Sequence, residues 1–193
     1  MMDVEKFKTA TYSGLTEGDW SDFDWWMATE STITYKEHLP EEYTLDDSLF
    51  RFIVELMSNE EFHNHKNFYK ILVVVEQNWG IMSSEQKADL LIAITAILDR
   101  STQYMTIFCA MEIVGEYFGN FPALSLLNEL RASGSVAVRS LLPFGYRTLA
   151  KEANDDRLKS DAYDNLVMMQ EDKSKIVRDE VAKQLSMWSP HQT

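Results

Sequence analysis

An all-α fold is the expectation, and three features of the sequence lead to it. Glycine and proline are scarce, 7 and 4 among 193 residues, and no Ser, Gly or Pro tract marks a linker or the regular turns of a β-protein. Apolar residues recur at helical spacing from residue 44 to near the end of the chain. Cap-forming Ser, Thr and Asn precede these runs, and glycines follow several of them. A hydrophobic content of 45% over this length suits one domain with a substantial core. The reading is a single all-α domain of about eight helices, with a helical body over 44–189 and a less regular, acidic and aromatic cover over 1–43.

The first helix is read in "TLDDSLFRFIVELM", where Thr44 and Asp47 have capping-box spacing and Leu45, Leu49, Phe52, Ile53 and Leu56 share a face. "KNFYKILVVVEQNW" follows. Its β-branched run Val73 to Val75 also suits a strand, but its length and the following Gly80 favour a helix closed by a C′ glycine. "SSEQKADLLIAITAILDR" opens with Ser83 and Gln86 as a capping box. Ala88, Leu91, Ile92, Thr95 and Leu98 make one face and Leu90, Ile94 and Ile97 another, so this helix reads as apolar almost all round and central. "TQYMTIFCAMEIVGEYFG" carries Tyr104, Ile107, Phe108, Met111, Gly115 and Phe118 at helical spacing and ends at Gly119, which tolerates a left-handed cap. "NFPALSLLNELRASG" starts at Asn120 with Pro122 in its first turn and stops at Gly134. The remainder divides into "SVAVRSLLPFGYRTLAKEA", "DDRLKSDAYDNLVMMQ", with Leu158, Ala162, Leu166 and Met169 on one face, and "DKSKIVRDEVAKQL".

One internal echo stands out. "AVRSLL" from Ala137 and "IVRDEV" from Ile176 place Val138-Arg139 and Val177-Arg178 39 residues apart, near the length of one HEAT or armadillo repeat. "DKSKIVRDEVAKQL" resembles the second helix of a HEAT repeat, with Asp172 at its start, then Val177-Arg178, then Ala182 and Leu185 on the packing face. The resemblance covers the C-terminal third and extends to the middle only as helix pairs. It implies stacked helix pairs that present an extended surface to another macromolecule. The sequence departs from the pattern where Ser133 replaces the leading Asp and where Pro143, matching Ala182, is expected to kink or break its helix.

Charge narrows the function. The chain carries a net −13, and residues 1–50 hold 12 acidic against 3 basic residues, a balance of −9. Such a field repels nucleic acid and anionic membranes and attracts basic partners. The start "MMDVEKFKTATY" lacks the apolar core of a signal peptide, and "ADLLIAITAIL" is too short to span a bilayer. A single cysteine, Cys109, rules out a disulfide framework and reads as a buried small hydrophobe. Cytoplasmic location is expected.

Catalytic and metal signals are weak. His63 and His65 in "FHNH" point apart on a helix and lack a third ligand at metal spacing, so no metal site is expected. Glu112 and Glu116 are one helical turn apart and read as solvated rather than as an acid and base pair. Met168 and Met169 read as core filler. No phosphate loop, nucleophile elbow or Cys/His pair occurs. The expectation is a protein that is not an enzyme and needs no cofactor.

The segment "EGDWSDFDWWMATE" is the strongest partner-binding candidate. It sets Trp20, Trp25 and Trp26 among Glu17, Asp19, Asp22, Asp24 and Glu30 without a Lys or Arg. Wound as a helix from Asp19, it turns Trp20, Phe23, Trp26 and Met27 to one side and leaves Trp25 on the acidic side, the composition of an interface anchor. A structural cover whose tryptophans plug the end of the helical stack fits the same residues. Glu37, Glu41 and Glu42 continue the acidic strip toward Asp46 and Asp47. A small, acidic chain of helix pairs resembles the immunity proteins of contact-dependent growth inhibition and other polymorphic toxin systems. That resemblance implies binding to a basic toxin, a nuclease by expectation, whose active site or substrate surface is occluded. The alternative is a non-catalytic helical-repeat scaffold or regulatory subunit.

Overall fold

The computed structural model describes residues 14, 16–19, 21–22, 47–66 and 68–188. Among these, nine α-helices lie from residue 47 onward and no strand occurs. Nearly all of the 1–43 cover, together with Thr44, Leu45 and Asp46, lies outside the described residues. The chain divides into two compact units, 1–97 and 98–193, each described by itself.

The described part of the first unit contains α1 (Asp47–Ser58), the single turn α2 (Glu60–His63), α3 (Tyr69–Gln77) and α4 (Ser84–Arg100), whose last residues fall in the second unit. The spacing of α1 buries Phe52, Ile53 and Leu56, as expected, together with Phe50 and Met57. In α3 the run at Val73 to Val75 is helical, with Ile71, Leu72, Val74 and Val75 buried, because packing overrides the weak strand preference of valine. Gly80 does not close this helix. It sits in a 3₁₀ turn, Trp79–Ile81, without a positive φ. The Asn78 side-chain amide donates to the Val74 carbonyl at 2.9 Å, occupying a terminal acceptor that a left-handed glycine cap would otherwise serve.

The capping box of α4 is present in full. The Ser83 N–H donates to Gln86 Oε1 at 2.8 Å, and the Gln86 N–H donates to Ser83 Oγ at 3.1 Å. Leu90, Ile94 and Ile97 are buried, but Ala88 is exposed and Ile92 is 72% exposed. The helix is therefore two-sided rather than enclosed, since Glu85 and Asp89 share the open side and carboxylates are rarely buried unpaired.

The second unit contains α5 (Tyr104–Glu112), which runs directly into a π-helical turn (Ile113–Phe118), then α6 (Phe121–Leu130), α7 (Val136–Glu152), α8 (Asp156–Met168), a 3₁₀ turn (Met169–Glu171) and α9 (Lys175–Ser186). Gly119 ends the π turn at φ 52°, the left-handed conformation expected of it. Asn120, Ser135 and Asp155 cap α6, α7 and α8, accepting from the N–H of Ala123, Val138 and Leu158 at 2.9, 3.3 and 3.0 Å. Gly134 lies in the connecting turn rather than at the end of α6, which stops at Leu130.

α7 is the hub. Leu142, Tyr146 and Leu149 are fully buried, and α7 packs against α5, the π turn, α6, α8 and α9. Pro143 does not break the helix, which runs unbroken through it to Glu152. Burial of α7 on most sides outweighs the roughly 3 kcal/mol cost of a helical proline. The Tyr146 hydroxyl donates to Asn128 Oδ1 at 2.7 Å, and burial pushes this phenol well above its ordinary range against a small opposing effect of Arg131. Where the π turn crosses α7, two glycines meet. A Cβ on Gly115 would lie 2.7 Å from the Gly145 carbonyl oxygen, and a Cβ on Gly145 would lie 2.9 Å from Met111 Sδ.

The 39-residue echo is a repeated structural joint. Ala123 and Ala162, Leu127 and Leu166, Val138 and Val177, and Leu142 and Val181 are all buried pairwise at that spacing. Arg139 Nη1 donates to the carbonyl of Ser133 at 2.6 Å, and Arg178 Nη1 donates to the carbonyl of Asp172 at the same 2.6 Å. The Ser133 hydroxyl accepts from the Ser135 N–H at 3.1 Å, and the Asp172 carboxylate accepts from the Ser174 N–H at 2.7 Å, so serine reproduces the local turn role of the aspartate. Among the described residues only the first arginine has a forward partner: Arg139 Nε donates to Asp172 Oδ2 at 3.0 Å, the side chains being 2% and 12% exposed.

On α9 the buried residues are Val177, Val181 and Gln184, whereas Ala182 is exposed and Leu185 only half-buried, contrary to expectation. The reason lies in the repeat. Ala182 matches Pro143, which is buried on the side of α7 where Arg139 and Arg147 reach the following helix pair, the latter donating from Nε to Gln184 Oε1 at 2.6 Å. Nothing described follows α9 to cover the matching side.

Two outcomes follow from this packing. Gly115→Ala is expected to cost about 1–3 kcal/mol, because its methyl group meets backbone rather than a movable side chain, while Gly134→Ala, with open space around it, stays within about 0.5 kcal/mol; urea unfolding measures both. For Asp172, partial burial works to raise the carboxyl pKa, but the Ser174 N–H and the Arg139 guanidinium outweigh it and hold the carboxyl below 3.8. Its stabilisation is complete above the unfolded value of 3.8 and is lost as pH falls through the lower folded value. Asp172→Asn should thus cost about 3 kcal/mol at pH 7 by leaving Arg139 buried beside a neutral group. The gap to the parent should narrow only below that carboxylate range, as followed by thermal melts across pH.

Candidate interaction site

The N-termini of α1 and α4 meet at an acidic notch. Gln86, the third member of the α4 cap, donates from Nε2 to Asp47 Oδ1 at 3.2 Å and so ties the two helix starts together. The cavity, about 380 Å³, is lined by Asp47, Phe50, Arg51, Ser83, Glu85, Gln86 and Asp89. Three carboxylates face one guanidinium. Glu85 and Asp89 lie one turn apart on α4, where like charges repel and favour an incoming cation. One further turn along the same side stands Ile92, 72% exposed, with exposed Ala88 beside it. The basic Lys87 is drawn away from the notch and lies 4.9 Å from the centre of the Trp79 ring. This arrangement attracts a cationic side chain and gives an apolar neighbour somewhere to pack.

Of the ten residues expected to bind a partner, Asp19 and Asp22 are described. Trp20, Asp24, Trp25, Trp26, Glu30, Glu37, Glu41 and Glu42 lie outside the described residues. Asp22 is exposed. Asp19 Oδ2 accepts from the N–H and the hydroxyl of Thr16, both at 2.8 Å, and its own N–H donates to Thr16 Oγ1 at 3.3 Å. The helix therefore begins at residue 17 behind a Thr16 cap rather than at Asp19. Thr16 three residues before Asp19 was the signal for it. Glu85, Asp89 and Ile92 escaped the sequence reading because Ile92 was assigned to a packing face.

The weaker candidates resolve individually. His63 is fully buried, bonds through Nε2 to the Met57 carbonyl and packs 5.7 Å from the Phe68 ring, whereas His65 is half-buried. Among the described residues no three His, Cys, Asp or Glu side chains are placed to hold a metal ion. Glu112 is half-buried and Glu116 exposed, and the change to π winding at Ile113 separates them from α-helical register. Cys109 is buried, as expected. Met169 is core, but Met168 is 57% exposed, with its sulfur 3.8 Å from Arg131 Nη1. Met168 borders a second cavity of about 440 Å³ where Arg131 and Glu171 oppose each other in charge.

The chain matches no family model, no curated protein and no solved structure. His63→Ala is expected to lower stability by about 2 kcal/mol by opening a cavity and leaving the Met57 carbonyl without this bond. His65→Ala should change it by less than about 0.5 kcal/mol. Guanidinium titrations of the two variants check the contrast.

Proposed function

We propose that this protein is a non-catalytic inhibitor of a basic protein, an immunity protein that neutralises a nuclease toxin in the cytoplasm. The observation that carries the reading is the acidic notch of Asp47, Glu85 and Asp89 beside exposed Ile92, in a chain whose net charge is −13. A nuclease active site is built to receive phosphates, so carboxylates placed against it substitute for substrate charge, and long-range attraction speeds encounter. Ile92 and the sequence-level anchor Trp25 then supply desolvated contact. Among the described residues no helix is long and apolar enough to cross a membrane.

A second reading is a helical-repeat scaffold of the HEAT type, and the observation favouring it is the joint repeated at Arg139 and Arg178. The two readings differ in what occupies the notch. Recovery of a basic nuclease by pull-down, encoded beside this chain, supports the inhibitor; an assembly of subunits lacking a basic cleft supports the scaffold.

Kinetics with the recovered partner test the inhibitor directly. Combining Asp22→Asn, Glu85→Gln and Asp89→Asn should slow association about tenfold at low ionic strength, with the difference fading as the Debye length falls to about 3 Å at 1 M salt. Ile92→Ala should mainly speed dissociation. Association insensitive to both salt and the triple substitution would exclude electrostatic capture.

A further inference from the structure

The cavity of about 440 Å³ in the second unit takes its walls from the end of α6, with Asn128 and Arg131, and from the end of α8 and the 3₁₀ turn after it, with Met168, Met169 and Glu171. The repeat does not account for its polar residues. Thirty-nine residues on, Asn128 and Arg131 correspond to Val167 and Gln170, whereas the buried positions of the joint stay apolar at that spacing.

Both donors are held from behind. Arg131 Nη1 donates to Asn165 Oδ1 at 3.0 Å, and Asn165 in turn donates from Nδ2 to the Asp161 carbonyl at 2.7 Å, which fixes the oxygen that receives the guanidinium. Asn128 Oδ1 accepts from the buried Tyr146 hydroxyl at 2.7 Å, so Nδ2 is what the amide has left to offer. Among the described residues no carboxylate pairs with Arg131, and its Nε and Nη2 make no hydrogen bond. Donors oriented in advance lose little freedom when a carboxylate arrives.

The acid on the other side is Glu171. Asp172 also borders the cavity, but its two oxygens already receive the Arg139 guanidinium at 3.0 Å and the Ser174 N–H at 2.7 Å. Glu171 is exposed and forms no ion pair among the described residues, with Arg131 or with any other cation. A lone anion entering here would meet Glu171 and a lone cation would meet Arg131, so the field favours a molecule that carries both charges.

We propose that this cavity binds a small zwitterion, a free carboxylate and a free ammonium on an apolar frame as in an amino acid or a dipeptide, with the carboxylate on Arg131 and Asn128 and the ammonium on Glu171. The apolar part lies along Met168 and Met169, whose flexible thioether side chains adapt to different shapes. The volume falls in the range of small-molecule sites, about 300–1,000 Å³. None of the residues of the acidic notch takes part.

The test titrates the full chain with L-leucine and with leucylleucine and follows the methionine ε-methyl resonances in carbon–proton spectra, that of Met168 being assigned by Met168→Leu. The expected result is a saturable shift at Met168, and the tighter of the two probes separates an amino acid from a dipeptide as the ligand. Acetylating the amino end of that probe removes the ammonium and amidating the other end removes the carboxylate; each should weaken binding about tenfold or more, as loss of a charged hydrogen bond implies. Glu171→Gln should weaken the unmodified probe to the same degree while leaving the acetylated one unchanged, a pairing that a merely structural effect would not produce. Because Glu171 is exposed, its replacement leaves the fold in place, and an unchanged melting curve verifies this. No saturable shift with either probe at millimolar concentration, affinity retained after either end modification, or indifference to Glu171→Gln would overturn the proposal.

Discussion

The contact between Arg139 and Asp172 fixes the register of the second unit. Hydrophobic burial along α7 supplies the driving force, but burial is non-directional and tolerates small shifts of one helix along another. A guanidinium shut off from solvent does not. Arg139 has one carboxylate and one carbonyl within reach, and sliding the α8–α9 pair by a single residue would strand it, at a cost of several kcal/mol. The glycine crossing acts in the same direction. Gly115 and Gly145 bring the π turn so close to α7 that a methyl group does not fit, which holds that crossing in place from the other side of the hub. Specificity of arrangement therefore comes from a few polar and steric constraints laid over a core that would accept several packings.

What was legible in the sequence was mostly local. The Ser83/Gln86 box, the helix start at Asn120 and the left-handed Gly119 each arise from chemistry within four residues, and such signals survive whatever the rest of the chain does. Less legible was everything decided by what lies opposite. Pro143 stays helical because α7 is surrounded, and Gly80 is spared as a cap because the Asn78 side chain serves the Val74 carbonyl first. Ala182 and Ile92 are apolar at helical spacing yet open to solvent. Periodicity identifies a face and says nothing about whether a neighbour covers it. The π turn left no trace either, since its residues read as ordinary helix.

The same limit explains the candidate site. Asp19 is one carboxylate of an acidic run, and a threonine three residues earlier engages it in a cap. Glu85 and Asp89 stand one turn apart on α4, and they become a notch only when α1 brings Asp47 to them. Charge counted along a sequence gives the sign of the partner. Which carboxylates remain for that partner depends on which ones the fold has already taken.

Asp172 belongs to the second group and Glu85 to the first, although both stand near the start of a helix. Asp172 accepts a backbone N–H and a buried guanidinium, so its charge is spent inside the protein. Glu85 lines an open cavity. A field that attracts a basic protein has to come from carboxylates of the first kind, because a neutralised pair has little reach beyond its own dipole while unpaired charges act over a Debye length of about 8 Å. By the same reasoning Arg139 contributes nothing to the outer surface and Arg178 does. The repeat thus produces two chemically identical arginines with different surroundings, and what separates them among the described residues is that only Arg139 meets a carboxylate, that of Asp172.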